Sequence, residues 1–281
     1  MSAKESRSPR DSSVRVVPMS STHVFGVRAY GCNIQVETPS LEAHSVLERY
    51  ILPSLPRMDI AADDPHIVVR VTQVDGQFHV VVGDQVVASA SSAIGMVSPL
   101  IKVLDDAVIE RLTALRALHA GAVVWNQRAL LLPGATHAGK SSLVAELLRR
   151  GATYFSDEFA LIDAQGFVHP YPRPLLLRNG RPQQSPVLAQ EFNVRVGDAP
   201  APVGWILSLE YVPGSTWNVS SLPHGEAVLT LLKNTPHYLA ELPDLVEVFQ
   251  RAVAGAACFS GQRDEAVPAV DHILQLVESH A

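Results

Sequence analysis

The sequence predicts an α/β fold in two parts, a small α+β region over 14–117 and a core over 118–281 built on a strand, a glycine-rich loop and a helix. Three observations carry this. Short β-branched runs broken by Asp75-Gly76 and Gly83-Asp84 read as a meander of hairpins, because those dipeptides accept the positive φ of tight turns. From Ile94 onward, apolar residues recur at helical spacing. The apolar run Ala129 to Leu132 leads through glycines at 134 and 139 into a second helical stripe.

Residues 1–13 are polar and read as a flexible tail without the apolar stretch of a secretory signal. Val14 to Val17 and Val24 to Tyr30 read as short strands, and Leu41 to Leu52 as a helix that Pro53 ends. Ile67 to Val74, Phe78 to Val82 and Val86 to Ala90 form the meander. Between Ile94 and Leu118, residues such as Val97, Leu100, Ile101, Leu104, Val108, Leu112 and Leu115 predict one long amphipathic helix, with Pro99 suited to its start. Its Asp105 and Asp106 read as part of a solvated face, where paired acids on a helix usually lie. The boundary between the two parts is expected near Leu115 to His119.

In the second part, Ala120 to Trp125 and Ala129 to Leu132 read as paired strands joined by Asn126-Gln127. Leu143, Val144, Leu147 and Leu148 mark the helix after the loop, with Gly151 suited to end it in a left-handed conformation. Tyr154 to Asp163 reads as two short strands around an acidic pair, and Phe167 to His169 as another. The proline-, arginine- and glutamine-rich segment from Tyr171 to Pro202 predicts a long exposed loop. Trp205 to Tyr211 and Trp217 to Ser220 read as a further strand pair, followed by helices at Gly225 to Lys233, Leu242 to Ala254 and Glu265 to Glu278.

Composition narrows the function classes. With 281 residues, 47% hydrophobic and 18% charged, the chain can bury a substantial core. A net charge of −6 gives no general attraction to nucleic acid or an anionic membrane surface, so neither is expected as a partner. No apolar run reaches membrane-spanning length, and Cys32 and Cys258 lack C-x-x-C pairing and read as buried thiols, so a cytoplasmic protein is expected. There is no G-x-S-x-G or H-E-x-x-H pattern, and the histidines show no metal-ligand spacing.

Gly134-Ala135-Thr136-His137-Ala138-Gly139-Lys140-Ser141 fits G-x-x-x-x-G-K-[ST], with Ser142 directly after it. In such a loop the glycines let consecutive N–H groups turn inward around phosphate oxygens. Lys140 is expected on the β- and γ-phosphates of ATP and the Ser141 hydroxyl on Mg2+, with the positive end of the following helix adding to the field. The alternative is a glycine turn opening an ordinary helix; the flanking strand and helical stripe favour the phosphate loop. Asp157 and Glu158, one crossover later, can supply a metal ligand and a base, with an exposed Asp-Glu turn as the alternative.

Leu118-His119-Ala120-Gly121-Ala122, the GATHAGKSS loop and Gly151-Ala152-Thr153-Tyr154-Phe155-Ser156-Asp157-Glu158 together resemble the HPr kinase/phosphorylase family, in order and spacing. The sequence looks most similar to HPr-kinase-related proteins such as those of lasso-peptide biosynthesis, where a peptide serine is phosphorylated. The resemblance spans about Leu118 to Arg178, with weaker likeness through the C-terminal helices. It implies a phosphoenolpyruvate-carboxykinase-like nucleotide core on a mixed sheet, and a protein or peptide substrate bearing an acceptor serine. It also makes self-association an expectation.

By the same resemblance, Asp157 would accept the serine proton and Glu158 would hold magnesium together with Ser141. His119 matches the family's His-Gly histidine and would contact the γ-phosphate; a core histidine is the alternative. Arg173, between Pro172 and Pro174, is a candidate to stabilise charge on the transferring group, or else a solvated loop arginine. Arg178 and Arg181 are further candidates for substrate contact, whereas His137 offers the loop only its backbone. Ser142 replaces the family's acid after the loop serine, and no Glu-Val-Arg-Gly-x-Gly element is present, so the kinase direction is expected rather than phosphorolysis. A non-catalytic nucleotide sensor and a small-molecule kinase are the rival readings.

Overall fold

The computed structural model describes residues 22–135, 138–178, 184–236 and 242–280. The predicted tail, the strand at Val14 to Val17, and Thr136, His137 and Arg181 lie outside the described residues.

The first part is a sheet of five strands in the order β1 (His23–Ala29), β2 (Cys32–Thr38), β3 (Ile67–Val74), β4 (Gln77–Val82) and β5 (Gln85–Ala90). Tyr30-Gly31 and Asp75-Gly76 turn β1 into β2 and β3 into β4 with both residues at positive φ, the conformation that matches strand twist. β2 and β3 are parallel and need a crossover. Helix α1 (Leu41–Ile51) supplies it, capped by Ser40, whose hydroxyl accepts from the Ala43 amide at 3.2 Å. Phe25, Ile34, Val69 and Val80 are buried in one cluster with Leu47 of α1 and Leu100 and Leu104 of α2 (Val97–Ile109).

Here the structure corrects the sequence reading. α2 begins after a single 3-10 turn, Ile94–Met96, and stops at Ile109 rather than Leu118. Leu115 to Leu118 open strand β6 (Leu115–Trp125) instead. Leu112 and Leu115 continue a helical spacing, but Leu115 and Ala117 equally make one face of a strand. The ladder from Leu115↔Asp163 to His119↔Phe159 decides it.

The second part is built on an eight-stranded mixed sheet. β6 forms a hairpin with β7 (Arg128–Pro133) through Asn126 and Gln127, both at positive φ. β7 runs parallel to β13 (Ala201–Tyr211), and β13 parallel to β15 (Ala257–Arg263). β14 (Asn218–Ser221) pairs with β15, so the two strands predicted as a pair are separated by one that was not predicted. Its sequence, ACFSGQR, has adjacent Cys258 and Phe259 and an internal glycine, and so lacks the alternation that marks a strand. On the other side of β6 lie β8 (Thr153–Ser156), β9 (Phe159–Asp163) and β10 (Phe167–His169). The segment predicted as one long loop contains a hairpin of β11 (Leu175–Leu177) and β12 (Ser185–Val187) and a 3-10 turn at Ala189–Phe192.

Side-chain alternation distributes this sheet between two helical layers. Leu118, Ala120, Ala122, Ala129 and Leu131 face α4 (His224–Lys233) and α5 (Leu242–Ala254). Val123, Leu130 and Leu132 face α3 (Lys140–Arg149) and α6 (Ala266–Ser279). The lower end of that second face, Leu115, Ala117 and Leu161, joins the cluster of the first part. Among the described residues, no helix is long and apolar enough to cross a membrane.

Candidate active site

His119 occupies the seam on the β6 face just described, between Ala117 under the first part and Gly121 under α3. A Cβ on Gly121 would stand 2.7 Å from Val144 Cγ2, so the bare backbone lets α3 approach the strand. β8 leaves β6 at Ala122↔Ser156, and β9 takes over at His119↔Phe159. Asp157 and Glu158 fall in the gap, with the Ala120 amide donating to Glu158 O at 3.0 Å. On the opposite edge Ala120 pairs with Pro133, the last residue of β7, and the Gly134 amide donates to His119 O at 3.4 Å. Three adjacent strands thereby bring the acid pair, His119 and the start of the glycine loop into one row.

The loop connects β7 to α3, as the pattern predicts. Gly139 sits at φ +76, a left-handed conformation open to glycine, and Gly151 ends α3 at φ +95 with the Ala152 amide bonded to Leu147 O. The buried Lys140 ammonium donates to Gly134 O at 2.9 Å and Ala135 O at 3.1 Å, and stands 3.2 Å from His119 Nε2. Burial lowers its pKa, and the negative charges of Glu158 and Asp157 oppose that.

His119 Nε2 also lies 2.8 Å from Glu158 Oε1. One nitrogen cannot donate to the carboxylate and accept from the lysine at once, and the shorter contact assigns its proton to the Glu158 bond. Burial pushes the Glu158 pKa up, but the His119 hydrogen bond and the positive charges of Arg173, His119 and Lys140 outweigh it and hold the carboxyl below its ordinary value. His119 is thus not an isolated core histidine: its Nε2 is bonded to Glu158 and lies beside the Lys140 ammonium.

Asp157 is fully buried. Burial raises its pKa; the Arg173 guanidinium lowers it, Glu158 raises it, and the Ser141 hydroxyl and Leu176 amide act weakly downward. Among the described residues its Oδ2 has no hydrogen-bond partner. Arg173 is buried and not a solvated loop residue: its Nη1 is 2.8 Å from Asp105 Oδ2, and its Nε is 3.9 Å from Asp157 Oδ1. Tyr171 donates to Asp105 Oδ1 at 3.0 Å, and Tyr154 to Arg173 O at 2.8 Å. Asp105 therefore does not belong to a solvated face; only its neighbour Asp106, paired with Lys102 at 3.5 Å, does. The signal was present in α2, since Asp105 falls four residues after Ile101 and three before Val108, on the buried stripe.

Arg263, at the end of β15, was missed because no strand was predicted there. It is buried and donates to Ala138 O at 3.0 Å and Gly139 O at 3.2 Å. A cleft of about 230 Å³ opens over the loop, lined by Gly139, Lys140, Ser141, Ser142, Glu158 and Arg178, among others. Magnesium takes oxygen ligands and binds through one or two carboxylates with substrate phosphates, so it needs no cage of protein ligands. The Ser141 hydroxyl and the partnerless Asp157 Oδ2 beside the cleft-lining Glu158 fit such an ion.

These features define a class: a mixed α/β protein with a strand, glycine loop and helix whose lysine lies beside a histidine that is bonded to one of two adjacent acids. Compared with known proteins, the chain matches no family model and no curated protein. Its structure is similar to that of the Hpr(Ser) kinase/phosphatase from Coxiella burnetii, with 15% identity and a TM-score of 0.32, over 59% of this chain and 95% of that one.

Proposed function

We propose that this chain is an ATP-dependent, magnesium-requiring kinase that phosphorylates a serine hydroxyl of a protein or peptide. The observation that supports it is the convergence of Lys140, His119, Asp157 and Glu158 at the mouth of the glycine loop. The loop amides and the positive end of α3 suit phosphate oxygens, and Lys140 is a cation poised on the loop's own carbonyls. Ser141 and Glu158 would hold the magnesium ion, which when bound neutralises charge on the phosphates. Asp157 would take the acceptor proton, and burial makes it a stronger base than an ordinary aspartate. The gap between its Oδ1 and Arg173 Nε, 3.9 Å, keeps that base from being locked in a tight ion pair.

A second reading exchanges the two acids, and a specific observation favours it. Ser141 acts on Asp157, while Glu158 is bonded to His119 and lines the cleft. In that arrangement Asp157 and Ser141 form the metal side, and the His119-Glu158 pair takes the proton.

Label transfer from ATP to serine-containing peptides and proteins, read by mass spectrometry, tests the function. Phosphoserine that disappears with Lys140→Met supports it. ATP binding with no transfer leaves a nucleotide sensor, and label on a metabolite leaves a small-molecule kinase. Magnesium titrations of Asp157→Asn and Glu158→Gln separate the two assignments. The variant on the metal side raises the magnesium requirement, and the base variant loses about 10²- to 10⁴-fold in kcat at saturating magnesium.

A further inference from the structure

A phosphate loop that turns its amides inward turns its carbonyls outward, and those carbonyls need donors of their own. Gly139 O accepts from the Leu143 amide at 3.2 Å, and Arg263 adds a donor that it shares with Ala138 O. Arg263 Nη2 donates to Ala138 O at 3.0 Å and to Gly139 O at 3.2 Å, and Nη1 to Asp264 O at 2.7 Å. Its guanidinium lies over the Tyr211 ring, 5.1 Å from the centroid, and Tyr211 itself lines the cleft. Gly139 is moulded to this arginine: a Cβ there would stand 2.2 Å from Arg263 Nη2.

The arginine is 2% exposed, and among the described residues its Nε has no partner and its hydrogen bonds go to carbonyls. Burial lowers its pKa, which the nearby Glu265, Tyr211 and Asp264 oppose. Burying a cation among carbonyls is costly unless an anion offsets it. Glu265 and Asp264 offset part of that, and the cleft that Gly139 and Lys140 line is where a further anion would lie.

We infer that Arg263 is a positioning residue for phosphate: from behind the loop it fixes and polarises the two peptide units whose amides, Gly139 N–H and Lys140 N–H, face a bound polyphosphate. The carbonyl of Ala138 and the amide of Gly139 belong to one peptide unit, as do the carbonyl of Gly139 and the amide of Lys140. A charge-assisted bond to each carbonyl strengthens the donor at the other end of that unit. The inference rests on the nucleotide reading above.

Calorimetric titration of the full chain with Mg-ATP, Mg-ADP and AMP tests it. Arg263→Met is expected to weaken ATP and ADP about tenfold or more while AMP, which lacks the β-phosphate, moves by less than about threefold. Arg263→Lys, which keeps the charge and one donor, falls between. ATP affinity within about twofold of wild type in folded Arg263→Met overturns the inference, as does an equal loss for all three nucleotides. Should the Met variant not fold, Arg263→Lys decides: a selective loss for ATP and ADP supports the inference, and unchanged binding of all three overturns it. A wild-type chain that binds none of the three overturns the nucleotide reading itself.

Discussion

Asp105 has its pKa pushed up to about 6 by burial, against the pull of Arg173 and the Tyr171 hydrogen bond. A folded-state value above the ordinary 3.8 means that the fold binds this proton more tightly than the unfolded chain does. Its contribution to stability is therefore full below about pH 4 and is lost as the pH rises to about 6. Thermal melts of wild type and Asp105→Asn should show the wild type losing ground to the variant across that window and no further trend above it; a wild type that gains ground would refute the sign. At neutral pH the ionised carboxylate pairs with Arg173 at 2.8 Å, while Arg173 Nε stands farther off, 3.9 Å from Asp157 Oδ1. In Asp105→Asn the guanidinium is free to close on Asp157, and kcat should fall about tenfold with ATP affinity unchanged, as steady-state kinetics would read. Much of this was legible one residue at a time. The lysine, the serine and the acid pair stood in the pattern; the helical period also put Asp105 on the buried stripe, although beside Asp106 it read as a solvated face. The Tyr154 and Tyr171 contacts arise from a fold-level return of the chain, which no local spacing encodes.

At the scale of elements, a β-branched run before Asp75-Gly76 made β3 readable to its ends, the Gln165-Gly166 turn did so for β10, and a helical apolar stripe did so for α5. The failures have physical causes. α2 was read too long because an apolar stripe can be continued by the inward side chains of a strand, and β15 was missed because it lies inside the sheet yet carries Ser260, Gly261 and Gln262. Gly261 is itself informative, as a Cβ there would stand 2.0 Å from Asn218 O of β14. The corresponding contact at the site is Gly121 against Val144. Gly121→Ala should push α3 off β6 and cost about 1–3 kcal/mol, the usual range for overpacking. Urea unfolding measures the loss. Because α3 starts at Lys140, ATP affinity should fall in parallel, whereas unchanged binding would mean that the loop is held independently of its helix.

The two parts of the molecule meet in one cluster. Leu115 and Ala117 of β6, Leu161 of β9 and Tyr171 are buried together with Ile34, Leu100 and Leu104 from the first part, and β6 itself runs unbroken through position 118. Sequence composition shows no linker there, and the site lies against this seam. A chain starting at residue 118 would uncover that face, at about 1.5–3 kcal/mol for each large side chain, and strip Arg173 of Asp105, at about 3–5 kcal/mol for a buried charge left without its close partner. Those losses together approach the whole stability of an ordinary domain, about 5–15 kcal/mol. The fragment 118–281 is therefore expected to be unfolded or aggregated, and the full chain to show one calorimetric transition with equal van't Hoff and calorimetric enthalpies. Two separated transitions, or a soluble fragment that binds ATP as the full chain does, would show that the first part is an accessory. A single transition would instead make it a structural half of the site, acting through Asp105 and Arg173 on the acid that faces the loop.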